Sequence, residues 1–299
     1  MVVGIPAQAA SVVGVTHLSP TRTEIAVHSP AMGRVVRVQI LHPAGGGARP
    51  NYYLLDGLYP GEEESTWTRA TSAERFFAGK RVNVVLPLGG LASYYTDWHR
   101  ADARLGNYKW ETFLTRELPP IVDGQFGGNG VNGVGGLSMG GNGAFILAAR
   151  HPQLYRAVAS YSGCPDTAVA LPLILASIAL RGADPANMWG PVGDPAWREH
   201  DASALAERLR GKALYLSVAT GIPGPHEFEL KPQLAENIFT GGPLETLVHG
   251  CVKAFEGRLA ALRIPARFDY KLAGTHSWSY WNDALIESWP TIGPALGAP

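Results

Sequence analysis

Gly136-Leu137-Ser138-Met139-Gly140 forms a G-x-S-x-G pattern. A strand-like stretch, Val131 to Gly135, precedes it, and a helix-forming stretch, Ala144 to Arg150, follows. In that strand–turn–helix setting the serine sits on a sharp bend, and its small neighbours let strand and helix approach. The bend lifts the hydroxyl into a cleft. The helix start behind it offers free N–H groups and a positive dipole end to an oxyanion. These are the parts of a serine nucleophile for acyl transfer. Without the flanking elements the same residues would be a glycine-rich turn with an incidental serine.

A serine nucleophile needs a base. In folds built around such an elbow the chain order is serine, acid, histidine, with the histidine on a loop after the last strand. Of the nine histidines, His276 fits, because it follows the strand-like stretch Ala266 to Leu272 and a Gly274-Thr275 turn. His151 sits at a helix end, and His200, His226 and His249 precede the last strands; these read as surface or capping residues. Acids between Ser138 and His276 include Asp194, Glu227, Glu229, Glu236, Glu245 and Asp269. A position just after the strand-like stretch Ala213 to Val218 favours Glu227 or Glu229, and at this level the choice stays open. The chemistry requires no metal and no cofactor, and none is expected.

Such groups meet only if a rigid scaffold holds them. The 299 residues, 46% hydrophobic and 17% charged, supply an ordinary globular core. Val36, Val38 and Ile40 alternate with polar or smaller neighbours, the period of a half-buried strand. Tyr52 to Leu55 and Val82 to Leu86 are continuous apolar runs ending at Gly or Pro, as buried central strands do. Helical stretches are expected at Trp110 to Leu118, Ala144 to Arg150 and Leu244 to Leu262; in the last, Leu244, Leu247, Val248, Cys251 and Phe255 fall near helical spacing. The Gly127-Gly128-Asn129-Gly130 run reads as a loop before a strand. Strands alternating with helices imply a mostly parallel sheet covered on both faces, the α/β-hydrolase fold. There is no internal repeat and no linker-like stretch, so residues 1–299 read as a single domain.

Composition narrows the partners. Lys plus Arg equals Asp plus Glu at 25 each, which argues against nucleic acid and anionic membrane surfaces. The longest largely apolar run, Ala168 to Leu180, is shorter than the roughly 20 residues a membrane span needs, so no transmembrane segment is expected. It reads as a buried or pocket-lining helix. Ala7-Gln8-Ala9 has the small-x-small form of a signal cleavage site without the basic and apolar regions that precede one, so residues 1–10 read as a signal-peptide remnant or a tail. Cys164 and Cys251 would form one disulfide in an exported protein and would be two buried thiols in the cytosol.

Longer stretches carry a resemblance. They are Ser29-Pro30-Ala31-Met32-Gly33-Arg34, Tyr53-Leu54-Leu55-Asp56-Gly57-Leu58, Tyr94-Tyr95-Thr96-Asp97-Trp98 and Tyr108-Lys109-Trp110-Glu111-Thr112-Phe113-Leu114. Gly136-Leu137-Ser138-Met139, Met188-Trp189-Gly190-Pro191, Asp194-Pro195-Ala196-Trp197 and Gly274-Thr275-His276-Ser277-Trp278 follow. In this order and composition the sequence resembles the antigen 85 mycolyltransferases of mycolic-acid bacteria and their corynebacterial relatives. Tyr161-Ser162-Gly163-Cys164-Pro165 is closer to the corynebacterial branch. The resemblance implies a secreted or cell-envelope serine acyltransferase. It would move a mycoloyl group from trehalose monomycolate to a sugar hydroxyl, on a second trehalose monomycolate or on arabinogalactan. It implies Glu245 as the acid, from Leu244-Glu245 with an aromatic, Phe255, ten residues later; Glu236 is the runner-up. It also implies an oxyanion hole from the N–H groups of Leu58 and Met139, and sugar contacts from Asp56, Tyr59 and Trp278. Tyr59 stands where the family has an arginine, and Ser65 or Thr66 stands where it has an asparagine before Trp67. Two other functions use the same fold: a carboxylesterase or thioesterase with water as acceptor, and a non-catalytic carbohydrate- or matrix-binding protein. The presence of both Ser138 and His276 argues against the second. The apolar stretch Leu171 to Leu180 is expected either to line an acyl groove or to be a core helix.

Overall fold

The structure, a computed structural model, describes residues 9–228 and 232–299. The strands among them are β1 (Ser11–Ser19), β2 (Arg22–Ser29), β3 (Arg34–Leu41), β4 (Arg49–Leu55), β5 (Asn83–Pro87), β6 (Gly128–Leu137), β7 (Tyr155–Tyr161), β8 (Ala213–Ala219) and β9 (Arg267–Lys271). They form one nine-stranded sheet in the order β1-β2-β3-β5-β4-β6-β7-β8-β9. From β5 to β9 every neighbouring pair is parallel. The β1, β2 and β3 meander joins β5 antiparallel. The sheet is therefore mostly parallel, as the alternation of strands and helices implies.

The helices are α1 (Thr66–Ala70), α2 (Ala73–Phe77), α3 (Trp110–Thr112), α4 (Leu118–Phe126), α5 (Met139–Arg150), α6 (Thr167–Ala179), α7 (Ala186–Trp189), α8 (Pro195–Glu199), α9 (Leu234–Glu236), α10 (Gly242–Ala261) and α11 (Trp278–Leu296). Successive strand residues point to opposite faces, so each central strand feeds two cores. Tyr53 and Leu55 of β4 pack with Phe145, Leu118, Val252 and Phe255 from α5, α4 and α10. Tyr52 and Leu54 of the same strand pack with Trp67, Phe77, Leu285, Trp289 and Ile292 from α1, α2 and α11. Burying a large apolar side chain in either layer contributes about 1.5–3 kcal/mol. Helices therefore cover both faces, as expected.

Several elements differ from the sequence expectation, each for a local reason. The helix after the elbow starts at Met139, five residues before Ala144. Gly140, Gly141 and Gly143 weaken helix propensity but are needed for close packing. The helix expected over Trp110 to Leu118 runs on to Phe126 despite Pro119-Pro120. A π-helical turn, Phe113–Glu117, resets the ladder, and the proline then falls in the first turn of α4, where a missing N–H is harmless. The run Gly127-Gly128-Asn129-Gly130 is not wholly a loop, since β6 begins at Gly128. A Cβ at Gly128 would lie 2.0 Å from Asp123 Oδ1, so glycine here reports crowding. Leu247 is 59% exposed, while Val248, Cys251 and Phe255 carry the buried face of α10. The 1–10 tail falls largely outside the described residues, as does Glu229. No helix among the described residues is long and apolar enough to cross a membrane.

Strand order locates the site. β4 lies between β5 and β6, so the chain leaves β4 to one side and returns on the other. A crevice opens at such a switch point, outside the carboxyl ends of the strands. Asp56 follows β4, and Ser138 follows β6.

Candidate active site

Ser138 bridges β6 and α5 with φ 50° and ψ −119°, a left-handed backbone that strains any side-chain-bearing residue. The surroundings over-determine it. Its N–H donates to the Tyr161 carbonyl at 2.9 Å, and its carbonyl accepts from the Asn142 N–H at 3.1 Å. A Cβ on Gly136 would come within 2.5 Å of the Gly140 carbonyl carbon. One on Gly140 would come within 2.4 Å of the Asp56 carbonyl oxygen. Both glycines of the motif are thus required by close approach of strand, helix and the loop after β4.

The loop Gly274–Ser277, between β9 and α11, brings His276 to the elbow. His276 Nε2 lies 2.8 Å from Ser138 Oγ. Its Nδ1 lies 2.7 Å from Glu245 Oε2. The carboxylate fixes the tautomer: Nδ1–H donates to Glu245, leaving Nε2 free to accept the Ser138 hydroxyl proton. The Trp281 ring meets the imidazole edge-on, with centroids 4.9 Å apart. Thr275, next to His276, donates to Glu227 Oε1 at 2.7 Å, and the other Glu227 oxygen accepts from Tyr280 Oη and the Gly224 N–H. The loop carrying the imidazole is therefore tied on its far side.

Glu245 stands in the first turn of α10 and is 1% exposed. Its Oε1 accepts from Ser162 Oγ and from the Ala219 N–H, each at 2.8 Å. The carboxylate therefore ends at the carboxyl end of β8, the place where chain position alone favoured Glu227 or Glu229. Its residue number is 26 further on because the chain returns to this point along α10. The other acids serve elsewhere. Asp194 caps α8, Glu236 is exposed on α9, and Asp269 binds Tyr215 and Lys271.

The N–H of Met139 is the first of α5, and the opening N–H groups of a helix have no partner within it. The Asp56-Gly57-Leu58 turn crosses directly above the elbow, since a Cβ on Gly57 would lie 3.8 Å from that of Ser138 and 2.6 Å from Leu137 Cδ1. Asp56 is 3% exposed, and its Oδ1 accepts from the Gly57 N–H at 2.9 Å. Burial pushes its carboxyl up to about 6, against the opposing pull of hydrogen bonds from Thr66, Gly57 and Gly61. Tyr59 is 64% exposed, and the Arg181 guanidinium stacks 4.2 Å above its ring. Trp278 opens α11, half-buried, edge-on to Trp67 and Trp281.

α6 flanks the site, with Ser177 Oγ 2.8 Å from Tyr94 Oη and the Tyr94 N–H directed at Met139 Sδ. The stretch read as a buried or pocket-lining helix is buried on one face only. Ile174 and Ile178 face the core, while Val169 and Leu180 are exposed. Cys164 and Cys251 are joined in a disulfide with Cα atoms 5.6 Å apart. Ser162, Glu227, Trp281 and Arg181 were not singled out for these roles by their spacing. Ser162 meets Glu245 from 83 positions away, and Glu227 meets Tyr280 and Thr275 from 53 and 48; Arg181 reaches back to Tyr59, and Trp281, though only one helical turn past His276, carries no motif that marks it.

Residues 29–292 match the family model described as "Putative esterase". The diacylglycerol acyltransferase/mycolyltransferase Ag85A of Mycobacterium leprae is 36% identical over 281 residues, 91% of this chain and 82% of that protein. Ag85B of the same organism is 36% identical over 280 residues, again 91% of this chain and 83% of that protein. Among solved structures, MPT51 of Mycobacterium tuberculosis superposes with a TM-score of 0.75 at 28% identity, covering 90% of this chain and 96% of that one. The Staphylococcus aureus serine hydrolase FphF gives 0.70 at 18% identity, over 92% and 98% of the two chains, a likeness of fold. The arrangement is the α/β-hydrolase fold anticipated from the elbow.

Proposed function

The chain belongs to the esterase family that includes the antigen 85 mycolyltransferases, and on that premise we propose that it is a serine acyltransferase moving a mycoloyl group between sugar hydroxyls. The observation that carries this reading is the unbroken hydrogen-bond chain from Ser138 through His276 to Glu245. Ser138 Oγ attacks the ester carbonyl as His276 Nε2 takes its proton, and Glu245 holds and compensates the imidazolium. The developing oxyanion is received by the N–H groups of Met139 and Leu58, and loss of one such donor costs about 2.7–4 kcal/mol in other serine enzymes. The imidazolium then protonates the leaving sugar alcohol. A second sugar hydroxyl, deprotonated by His276, attacks the acyl-enzyme in the reverse sense and frees Ser138.

The donor in this reading is a glycolipid, trehalose monomycolate, and the acceptor is a second trehalose monomycolate or arabinogalactan. In this reading Asp56, Tyr59 and Trp278 supply the sugar contacts. Arg181, stacked on Tyr59, adds a guanidinium to that rim. The apolar stretch of α6 lines the acyl path. Transfer must outrun hydrolysis, so the acceptor has to be held close and water kept scarce. A disulfide between Cys164 and Cys251 suits an oxidising compartment, which supports a secreted or cell-envelope location. One sheet with two continuous cores supports a single catalytic domain.

The test is a partition experiment. With trehalose monomycolate as donor, the chain is expected to yield trehalose dimycolate faster than free mycolic acid, and Ser138→Ala to yield neither. Free acid as the sole product would instead assign a carboxylesterase or thioesterase. An unmodified donor would leave a binding protein of the same fold.

A further inference from the structure

Ser162 follows β7 with φ 52°, again in the left-handed region where glycine is at ease and other residues are not. It is buried, at 4% exposure. Its N–H donates to the Ser217 carbonyl at 2.8 Å, which pins the bend to the end of β8. The hydroxyl donates to Glu245 Oε1, also at 2.8 Å. Gly163 comes next, so a flexible backbone is already supplied one residue on. A serine held at a strained position where glycine would fit points to use of its hydroxyl.

That use follows from where Glu245 is anchored. The acid does not stand on the strand end that it touches but on α10, and its carboxylate crosses to β8. Three donors hold it: Nδ1–H of His276, the Ala219 N–H and the Ser162 hydroxyl. Only the last comes from a side chain outside the proton relay. The loop bearing Ser162 is itself tied to α10, since Cys164 is bonded to Cys251 in that helix. Resting on the triad proposed above, we infer that Ser162 is a positioning residue. Its hydroxyl fixes the rotation of the Glu245 carboxylate so that Oε2 faces the imidazole.

A purely structural role for the hydroxyl predicts something different, and Ser162→Gly separates the two. That variant removes the hydroxyl and relieves the left-handed strain together, so the fold is kept. Expected are an unchanged or raised melting temperature and a fall in kcat of about tenfold or more at unchanged KM. Labelling of Ser138 by a fluorophosphonate should slow in proportion. Ser162→Ala, which keeps the strain, should lose activity equally and melt lower. In a Glu245→Gln background, Ser162→Gly should add no further loss, because the two act through one network. A Ser162→Gly variant with parental kcat and labelling rate overturns the inference. If Glu245→Gln also labelled at the parental rate, the triad itself would fail; if only Ser162→Gly did, the positioning role alone would.

Discussion

Replacing Glu245 by glutamine changes one atom, and the surroundings dictate where it goes. Oε1 accepts two hydrogen bonds, from Ser162 Oγ and the Ala219 N–H. The Ser162 hydroxyl could turn to accept, but the Ala219 N–H can only donate, so an amide NH2 in that place would set donor against donor there and the amide oxygen must occupy it. The NH2 group then falls where Oε2 now lies, 2.7 Å from His276 Nδ1. Facing a donor, Nδ1 must become an acceptor, and the ring proton moves to Nε2. That nitrogen is 2.8 Å from Ser138 Oγ and can no longer take its proton. The wrong tautomer is enforced, not merely permitted. In a serine protease the equivalent change lowers kcat about 10⁴-fold with the geometry intact, or about 5.5 kcal/mol. Glu245→Gln should therefore lose about four orders of magnitude in kcat while its melting temperature stays near the parent's. Glu245→Ala, by contrast, leaves buried donors without an acceptor, and each such group costs about 1–3 kcal/mol of stability. The assay is fluorophosphonate labelling of Ser138 beside acyl transfer, with melting recorded by calorimetry. A Glu245→Gln variant retaining a tenth of the parental rate would refute this reasoning.

Three further outcomes follow from other parts of the site. Gly140→Ala would place a Cβ 2.4 Å from the Asp56 carbonyl oxygen, so it should destabilise by about 1–3 kcal/mol or more and lower the melting temperature accordingly. Reducing the Cys164–Cys251 bridge, whose ends are 87 residues apart, should remove about 2–4 kcal/mol, seen as a lower melting midpoint with reductant that the Cys164→Ala/Cys251→Ala variant does not show. Asp56, raised by burial from 3.8 to about 6, binds its proton more tightly folded than unfolded. Its contribution is thus fully present below pH 3.8 and lost as pH rises to about 6, a fall of about 3 kcal/mol. Denaturant titrations across that window should show Asp56→Asn free of this component.

How much of this was legible depended on whether a feature was local. The elbow was, because both its glycines and its serine fall within five residues, and crowding by Leu55, Asp56 and Gly140 explains them. His276 was found from chain order alone. The acid was not: position after β8 pointed to Glu227 or Glu229, and resemblance was needed to reach Glu245. Glu227 does stand beside the site, but it holds Thr275 and Tyr280 instead of the imidazole. β1 was not picked out because it is an exposed edge strand with Val13 and Val15 facing solvent, whereas β2 does alternate, with Ile25 and Val27 buried between half-buried neighbours, and that period was legible but not singled out. α11 was hidden by Pro290 and Pro294 within it; its packing on the sheet, with Leu285, Trp289 and Ile292 buried, outweighs their poor helix propensity. The Ser162 contact spans 83 positions and has no local signature at all.

If Ser138 carries the acyl group between two sugars, the protein must gain its mass in transit. The protein is mixed with trehalose monomycolate, quenched within seconds, and examined intact and as peptides. One mycoloyl increment on the peptide containing Ser138 is expected, and it should be discharged faster by added trehalose than by water. An increment on another residue, or none while the donor is consumed, would contradict the account.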